Sequence, residues 1–467
     1  MKSINISALL AGLLVMICGC QTHPLVDVSS SSQLQSHGSV AHSDPPESAP
    51  YQSILAPAPI GQLSLADVLS LAELHSPRMA AYVTDIHIAQ AQSRQAKRWS
   101  NPELELEMEN IGSSGRFSGI DSAETTLSLA QVVPLGRDIT KQYELADVRR
   151  QQAQWMFKVE RLEVLHEATV RYITTLVVDR RLSLAQRELQ WSHAIEQLIT
   201  RHVEAGDASP VEKSRVLVPV VMAEVAVERA RRECDTASLA LASLWGTRQV
   251  SFSGLTGALE QLSPLPESDT LVHLINTNPQ VAQWAAHISE YQAQAQLFKA
   301  QAMPDMTGRL GIKHHNEDDQ MALVIGISLP LPIFDRREDD VLAARLGMTG
   351  ARQRQRDTQL RLENMLSQSY AQLADSHDLA TALQHRAIPA ATEAYQATQQ
   401  SFNQGKLPFL DVLDTQRTLF ELEHRYITAL QDYHLAAAQI EALIGSRLTD
   451  LPISEKQQEN PHEISEQ

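Results

Sequence analysis

The chain has 467 residues, enough for two or three ordinary domains, and a formal net charge of −17 at pH 7. That charge argues against a nucleic-acid partner, because phosphate binding needs the opposite sign; it suits a surface or lumen that meets cations, or simply keeps the chain soluble. Aromatic residues are sparse at 5% and glycines number only 19, which argues against a compact enzyme core; the Ala, Gln, Leu, Glu and Arg content favours long helices.

Met1 and Lys2 precede an apolar run, Ile4 to Ile17, too short for an ordinary spanning helix. It ends in Ile17-Cys18-Gly19-Cys20 and resembles a bacterial lipoprotein signal. The resemblance implies that residues 1–19 are removed and that Cys20 is acylated. Gln21 in place of Asp implies outer-membrane sorting; a plain secretory signal is the alternative. Each buried methylene of an acyl anchor adds roughly 0.8 kcal/mol of membrane affinity. Cys234 is then the last thiol, so no intrachain disulfide forms, and it reads as an inert packed residue. Residues 20–62, rich in Ser, Pro, His and Ala without a period, read as a flexible, lipid-anchored leader.

From Ser64 the pattern turns helical. "SLADVLSLAELHSP" predicts a Ser-capped helix that stops near Pro77, and a second helix covers about Arg78 to Trp99. Asn101-Pro102 breaks it. Leu104, Leu106 and Met108 then alternate with Glu103, Glu105, Glu107 and Glu109, which marks a strand with one apolar and one polar face. After a Gly/Ser loop, Leu127 and Leu129 alternate again as far as Pro134, giving a hairpin over about 103–133. Between Arg137 and Ala205 there is no Pro and no Gly, which predicts a helical rod of roughly 100 Å if unbroken. Apolar residues at three- and four-residue steps (Leu162, Leu165, Val170, Ile173, Leu176) indicate coiled-coil-like packing. The chain turns at Gly206, and Ser209-Pro210 opens a helix that returns to Trp245. The returning pieces, about 78–99 and 211–245, could stack end to end beside the rod.

The chain then repeats itself. Pro77 and Pro102 are 25 residues apart, as are Pro279 and Pro304. Gly206 and Gly246 are answered by Gly405 and Gly445, both at an offset of 199 residues. A second hairpin is expected over about 306–330, with the polar loop "HHNEDDQ" at its bend. A long helix from about Arg336 to Asn403, kinked at Pro389, leads to the turn "NQGKLPF", and Phe409 to Ile444 returns. Repeat units of this size describe two halves of one symmetric object, residues 63–246 and 271–446, joined by a Pro/Gly/Ser-rich connector at 247–270. Residues 447–467 read as a polar tail. Each hairpin has strands of bilayer-crossing length. Four strands leave open edges that lipid does not tolerate, so strands from several copies must complete a barrel.

This order, with "PLPIFDRR" after the fourth strand and "FNQGKLPFLDVLDTQ" at the last turn, resembles the TolC-like outer-membrane efflux family over about Leu63 to Arg447. "SLPLPIFDR" is most similar to its CzcC/CusC-like heavy-metal branch. The resemblance implies a mainly α chain with a small β part. Three copies would form a 12-stranded outer-membrane β-barrel continued by a periplasmic barrel of 12 helical struts. It implies partners as well: a periplasmic adaptor, an inner-membrane RND pump and outer-membrane lipid. The implied function is export of heavy-metal cations. Drug efflux and type I secretion are alternatives with the same fold, and a periplasmic adaptor lipoprotein is a reading of another class.

No catalytic constellation, P-loop or dinucleotide fingerprint appears, so neither enzyme activity nor a cofactor is expected; "HEATV" at His166 lacks the second His of a zinc-protease pair. Asp411 and Asp414 lie i, i+3 on one helical face, and the family pattern implies that they gate the tunnel as carboxylate rings favouring cations. Alternatively Asp411 caps its helix and Asp414 is merely solvated. The turns Gly206-Asp207 and Gly405-Lys406-Leu407 are the implied adaptor-docking tips, or only turns. His314 and His315 cannot by themselves close a zinc shell, and a polar loop is the simpler account. The acidic row from Glu103 to Glu109 suits a water-filled lumen.

Overall fold

The computed structural model describes residues 59–448, apart from 113, 114, 116–118, 207 and 208. The signal segment, Cys20, most of the leader, Asp207 and the tail from 449 lie outside the described residues.

The chain opens with β1 (Gly61–Leu63), α1 (Leu65–His75) and α2 (Pro77–Gln95). Ser64 caps α1: its side chain accepts from the Asp67 backbone, and the Asp67 carboxylate accepts from Ser64 N–H at 2.9 Å. Pro77 sits in the first turn of α2, where a missing N–H costs nothing. The hairpin β2 (Glu103–Glu109) and β3 (Glu124–Val133) leads to α3 (Asp138–Ala205), a single helix of 68 residues. The helix α4 (Pro210–Ala242) returns beside it. After β4 (Phe252–Leu255) and α5 (Ser268–Ile275), the second half repeats the plan with α6 (Pro279–Gln301), β5 (Met306–His315) and β6 (Gln320–Ser328). Then come α7 (Glu338–Ala382), α8 (Ile388–Asn403) and α9 (Phe409–Ile444).

Both hairpins join one antiparallel sheet in the order β2–β3–β5–β6. Where each hairpin hands over to its long helix, a non-glycine residue takes the left-handed conformation: Arg137 and Arg337 both have φ 59°. Gly136 comes so close to the Ala300 backbone carbonyl that any side chain there would collide with it.

The stacking of short on long helices follows the expectation. α4 and α2 both pack on α3, and Gly246 after α4 lies against Pro77 at the start of α2. Arg78 locks this junction through Glu160, Glu163 (3.0 Å) and Glu167 (3.2 Å) of α3. Buried side chains hold the helices along their facing stripes, including Val164, Leu184, Leu362, Leu373, Leu430 and Ile440. Each contributes about 1.5–3 kcal/mol.

Three features differ from the sequence reading. Gly61 and Gln62, assigned to the leader, form β1, which pairs in parallel with β4 inside the expected connector. The second helix ends at Gln95 rather than Trp99. The 336–403 helix is not merely kinked at Pro389: Leu383–Ala387 form a π-helical turn just before it. That wider turn accommodates a proline, which has no N–H and whose ring would clash with the carbonyl one turn back.

The connector is stitched to the struts by side chains of both halves. Tyr172 donates to the Thr256 carbonyl, and His434 Nε2 lies 2.8 Å from the Leu259 carbonyl. The Tyr433 hydroxyl accepts from Ser263 N–H at 2.8 Å, and Tyr370 donates to the Pro266 carbonyl at 2.9 Å.

Candidate functional site

The sheet has two unlike faces. Leu104 and Leu106 of β2 align across β3 and β5 with Leu129–Leu310 and Leu127–Ile312, and β6 adds Ile325 and Leu323. Nothing among the described residues covers this face; Leu104 is 73% exposed and Ile325 71%. The other face carries charge. Glu105 pairs with Arg309 at 2.8 Å, while Lys313 bridges Glu109 (2.6 Å) and Glu124 (2.5 Å). An apolar face of this extent has no partner among the described residues, and a charged reverse face has no place in lipid. Among the described residues the two edges, β2 and β6, have no further strand beside them.

At the far ends of the struts Gly206 and Gly405, singled out in the sequence, end their helices in the left-handed conformation. Gly206 ends α3 at φ 87°. Gly405 takes φ 70° after α8, with Gly405 N–H donating to Phe402 O at 2.8 Å and Lys406 N–H to Ser401 O at 2.9 Å. This pair of bonds satisfies the last carbonyls of α8. A side chain added at either glycine would meet open space, so φ and not crowding selects glycine there. Lys406 and Leu407 are exposed.

Asp411 and Asp414 stand in the first turns of α9, both exposed. The opposite side of the helix is fixed by Phe409, Val412 and Leu419, which share a buried cluster with Ile195, Ile199 and Tyr395. Much of the chain's scarce aromatic content gathers here: Trp191 lies 4.3 Å from Tyr395 and 5.6 Å from Phe420, and Phe402 lies 5.7 Å from Phe409. The residue before the helix is Pro408 and no side chain caps it, so Asp411 is not a capping residue. Neither carboxylate has an ion-pair partner among the described residues; the next acid on the same side, Glu421, is taken by Arg425 at 2.8 Å. Asp411 therefore makes no side-chain cap, Asp414 is exposed as the solvated alternative has it, and the two unpaired carboxylates lie one turn apart.

The histidines of the β5–β6 bend do not converge. His314 meets Asp319 at 2.9 Å, whereas His315 faces Glu124 at 3.3 Å across the sheet. Adjacent strand residues point to opposite faces, so the two rings cannot share an ion. Among the described residues no group of three or more His, Cys, Asp or Glu side chains could hold a metal. His166 lies among Arg78, Glu163 and Glu167 beside the start of α6, and burial holds its pKa below the ordinary value. Cys234 is half-buried, and burial pushes its thiol up to about 11.

Long paired struts and a two-faced sheet with free edges define a TolC-like channel subunit. A family model described as outer membrane efflux protein matches residues 68–247 and 271–446, and the chain belongs to that family. It is 29% identical over 385 residues to the cobalt-zinc-cadmium resistance protein CzcC of Cupriavidus metallidurans, covering 82% of this chain and 90% of that one. It is 25% identical over 291 residues to the nickel-cobalt-cadmium resistance protein NccC of Alcaligenes xylosoxydans, covering 62% and 64%. Among solved structures, a membrane protein from Pseudomonas aeruginosa aligns with a TM-score of 0.70 at 18% identity, covering 82% and 90%. CusC aligns at 0.65 and 14%, covering 82% and 92%. These structures establish the fold.

Proposed function

We propose that three copies of this chain form an outer-membrane duct that passes heavy-metal cations delivered by an inner-membrane pump and a periplasmic adaptor. The observation that carries this reading is the sheet: a bare apolar face, a charged reverse face and two open edges in one four-stranded piece. Three such pieces joined β6 to β2 give a 12-stranded cylinder without edges, apolar outside and polar within. The cation class rests on similarity to proteins named for resistance to cobalt, zinc, cadmium and nickel. The chain carries nothing by catalysis in this reading; it supplies a path whose selectivity comes from its lining. Asp411 and Asp414 would ring the narrow end with six carboxylates in the trimer. The turns at Gly206-Asp207 and Gly405-Lys406-Leu407 would receive the adaptor, and acylated Cys20 would anchor the leader. The test is sensitivity of a strain lacking the chain to a panel of metals and a panel of drugs. Sensitivity to drugs alone would overturn the cation assignment.

A further inference from the structure

The struts stand in a row whose two margins differ. α2 and α4 pack on α3 at one margin, α6 and α9 follow, and α7 with α8 closes the other. The sheet keeps the same order, from β2 to β6, so one side of the chain is open along α4 and the other along α7.

On α4, Val216, Val220, Ala223, Val227 and Ala230 are buried, and the cluster of Val227 and Ala230 with Ala185 faces α3. On the reverse side, Val218, Met222, Val225, Arg229, Arg232 and Leu239 recur at heptad steps. This is the pattern of a coiled-coil seam, and it stays open among the described residues: Val218 and Met222 are each 63% exposed, with Met222 at the rim of a groove shared with α3 and α9. Arg229 is held only by Glu233 of its own helix at 2.9 Å, and Arg232 has no charged partner among the described residues. On α7 the buried residues are Leu366, Leu373, Ser376 and Ala380, and the reverse side presents Asp375 and Asp378. Asp378 touches only its neighbour His377, at 3.3 Å, and its side chain is 82% exposed.

These two charged stretches lie at one level. Arg229 and Arg232 line a groove with Arg181 of α3. Arg181 reaches Gln431 of α9 at 2.9 Å, and two residues on, Tyr433 lies 6.0 Å from the ring of His377 on α7. Arg232 and the Glu233-paired Arg229 on one margin are therefore level with Asp375 and Asp378 on the other.

We propose that this level is a clamp between subunits, in which Arg229 and Arg232 of one α4 receive the partner subunit's Asp375 and the partner subunit's Asp378. The occupant of the α4 seam is a second copy of this chain, because the same chain carries the complementary charge at the matching height on its opposite margin. The inference rests on the cyclic assembly proposed above and adds its register: charge pairs at an interface fix alignment more than they add affinity.

The test uses the full chain in detergent with Cys234→Ala and an Arg232→Cys/Asp378→Cys pair, treated with a bifunctional maleimide of about 10 Å, a span suited to two side chains of an ion pair. Cross-linked dimers and trimers are expected with the pair and not with either cysteine alone. In parallel, Arg229→Glu with Arg232→Glu should cut heat-resistant trimer at least tenfold, and adding Asp375→Arg and Asp378→Arg should restore it. The four charged positions are exposed and Cys234 is half-buried, so circular dichroism of the monomer fraction checks the helices. Intact trimers that neither cross-link nor respond to charge reversal would overturn the clamp and leave the trimer standing. A heat-resistant trimer unchanged by reversal, combined with lost binding of a periplasmic adaptor, would assign the seam to that partner and equally overturn it. An unsubstituted chain that is monomeric in detergent would remove the assembly itself.

Discussion

Asn278 Nδ2 donates to the Leu443 carbonyl at 2.8 Å, and Asn278 Oδ1 accepts from Gln280 N–H at 2.7 Å. One side chain thus caps the start of α6 and ties it to the end of α9. It is the second-half counterpart of Pro77 lying against Gly246, by which the first half stacks α2 on α4. Asn278 is only 2% exposed, so an apolar replacement strands both a carbonyl and a helix N–H away from water. Asn278→Leu should destabilise the chain by about 2–4 kcal/mol, the sum of a lost cap and an unpaired buried carbonyl. Thermal unfolding in detergent measures it. A shift no larger than that of an exposed control such as Gln396→Leu would mean that the junction is held by apolar packing alone.

The paired carboxylates lead to a prediction about conduction. The helix that carries Asp411 and Asp414 is seated on its far side in an aromatic and aliphatic cluster, and neither carboxylate has an ion-pair partner among the described residues. Removing both, Asp411→Ala with Asp414→Ala, should raise single-channel conductance and weaken block by divalent cations. Replacement by Asn keeps the volume and removes the charge. It should therefore weaken the block as strongly as Ala while raising conductance less. Planar-bilayer recording distinguishes the two, and unchanged conductance and block in both variants would remove the gate assignment.

Much of this architecture was legible because helix and strand periods are unambiguous over long stretches. The alternation of Leu104, Leu106 and Met108 with four glutamates fixed a two-faced strand, and the absence of Pro and Gly before Gly206 announced the 68-residue α3. The β1–β4 pair was not legible, since strands of three and four residues carry too few positions for a period. The π-helical turn before Pro389 was missed for a related reason: proline announces a disturbance but not how the preceding turn absorbs it. At the site, the spacing of Asp411 and Asp414 was visible. That Asp411 leaves the cap position to Pro408, and so stays unpaired, needed coordinates. The tyrosine and histidine stitching of the connector joins residues up to 175 positions apart with no local signal.

That stitching includes a titratable member. His434 lies against the Leu259 carbonyl, and burial holds its pKa below the ordinary 6.5 against the opposing pull of that carbonyl and of Glu260. A histidine whose folded pKa is lowered binds its proton more readily when unfolded. Its contribution to stability is therefore complete above about pH 6.5 and is lost as pH falls from there toward the folded pKa. His166 is shifted in the same direction by burial and adds to the effect. Melting temperature should thus fall on acidification below pH 6.5, and His434→Gln should flatten that slope while lowering stability at neutral pH. An unaltered pH slope in the variant would show that His434 does not report the transition.

The glycine turns separate conformation from contact. Gly405 needs φ 70°, which Asn tolerates and a β-branched residue does not, and no atom of the chain lies within 4 Å of where its side chain would start. If the turn served only to reverse the chain, Gly405→Asn would preserve function and Gly405→Val would cost stability. If an adaptor approaches the bare backbone there, Gly405→Asn should also fail, because its side chain occupies the space the partner needs. The expected result is loss of metal export for both variants, with trimers still in the outer membrane for Gly405→Asn and a lowered melting temperature for Gly405→Val alone. Metal-resistance growth assays beside heat-modifiability gels read the two effects separately, and normal resistance with Gly405→Asn would count against docking at this turn.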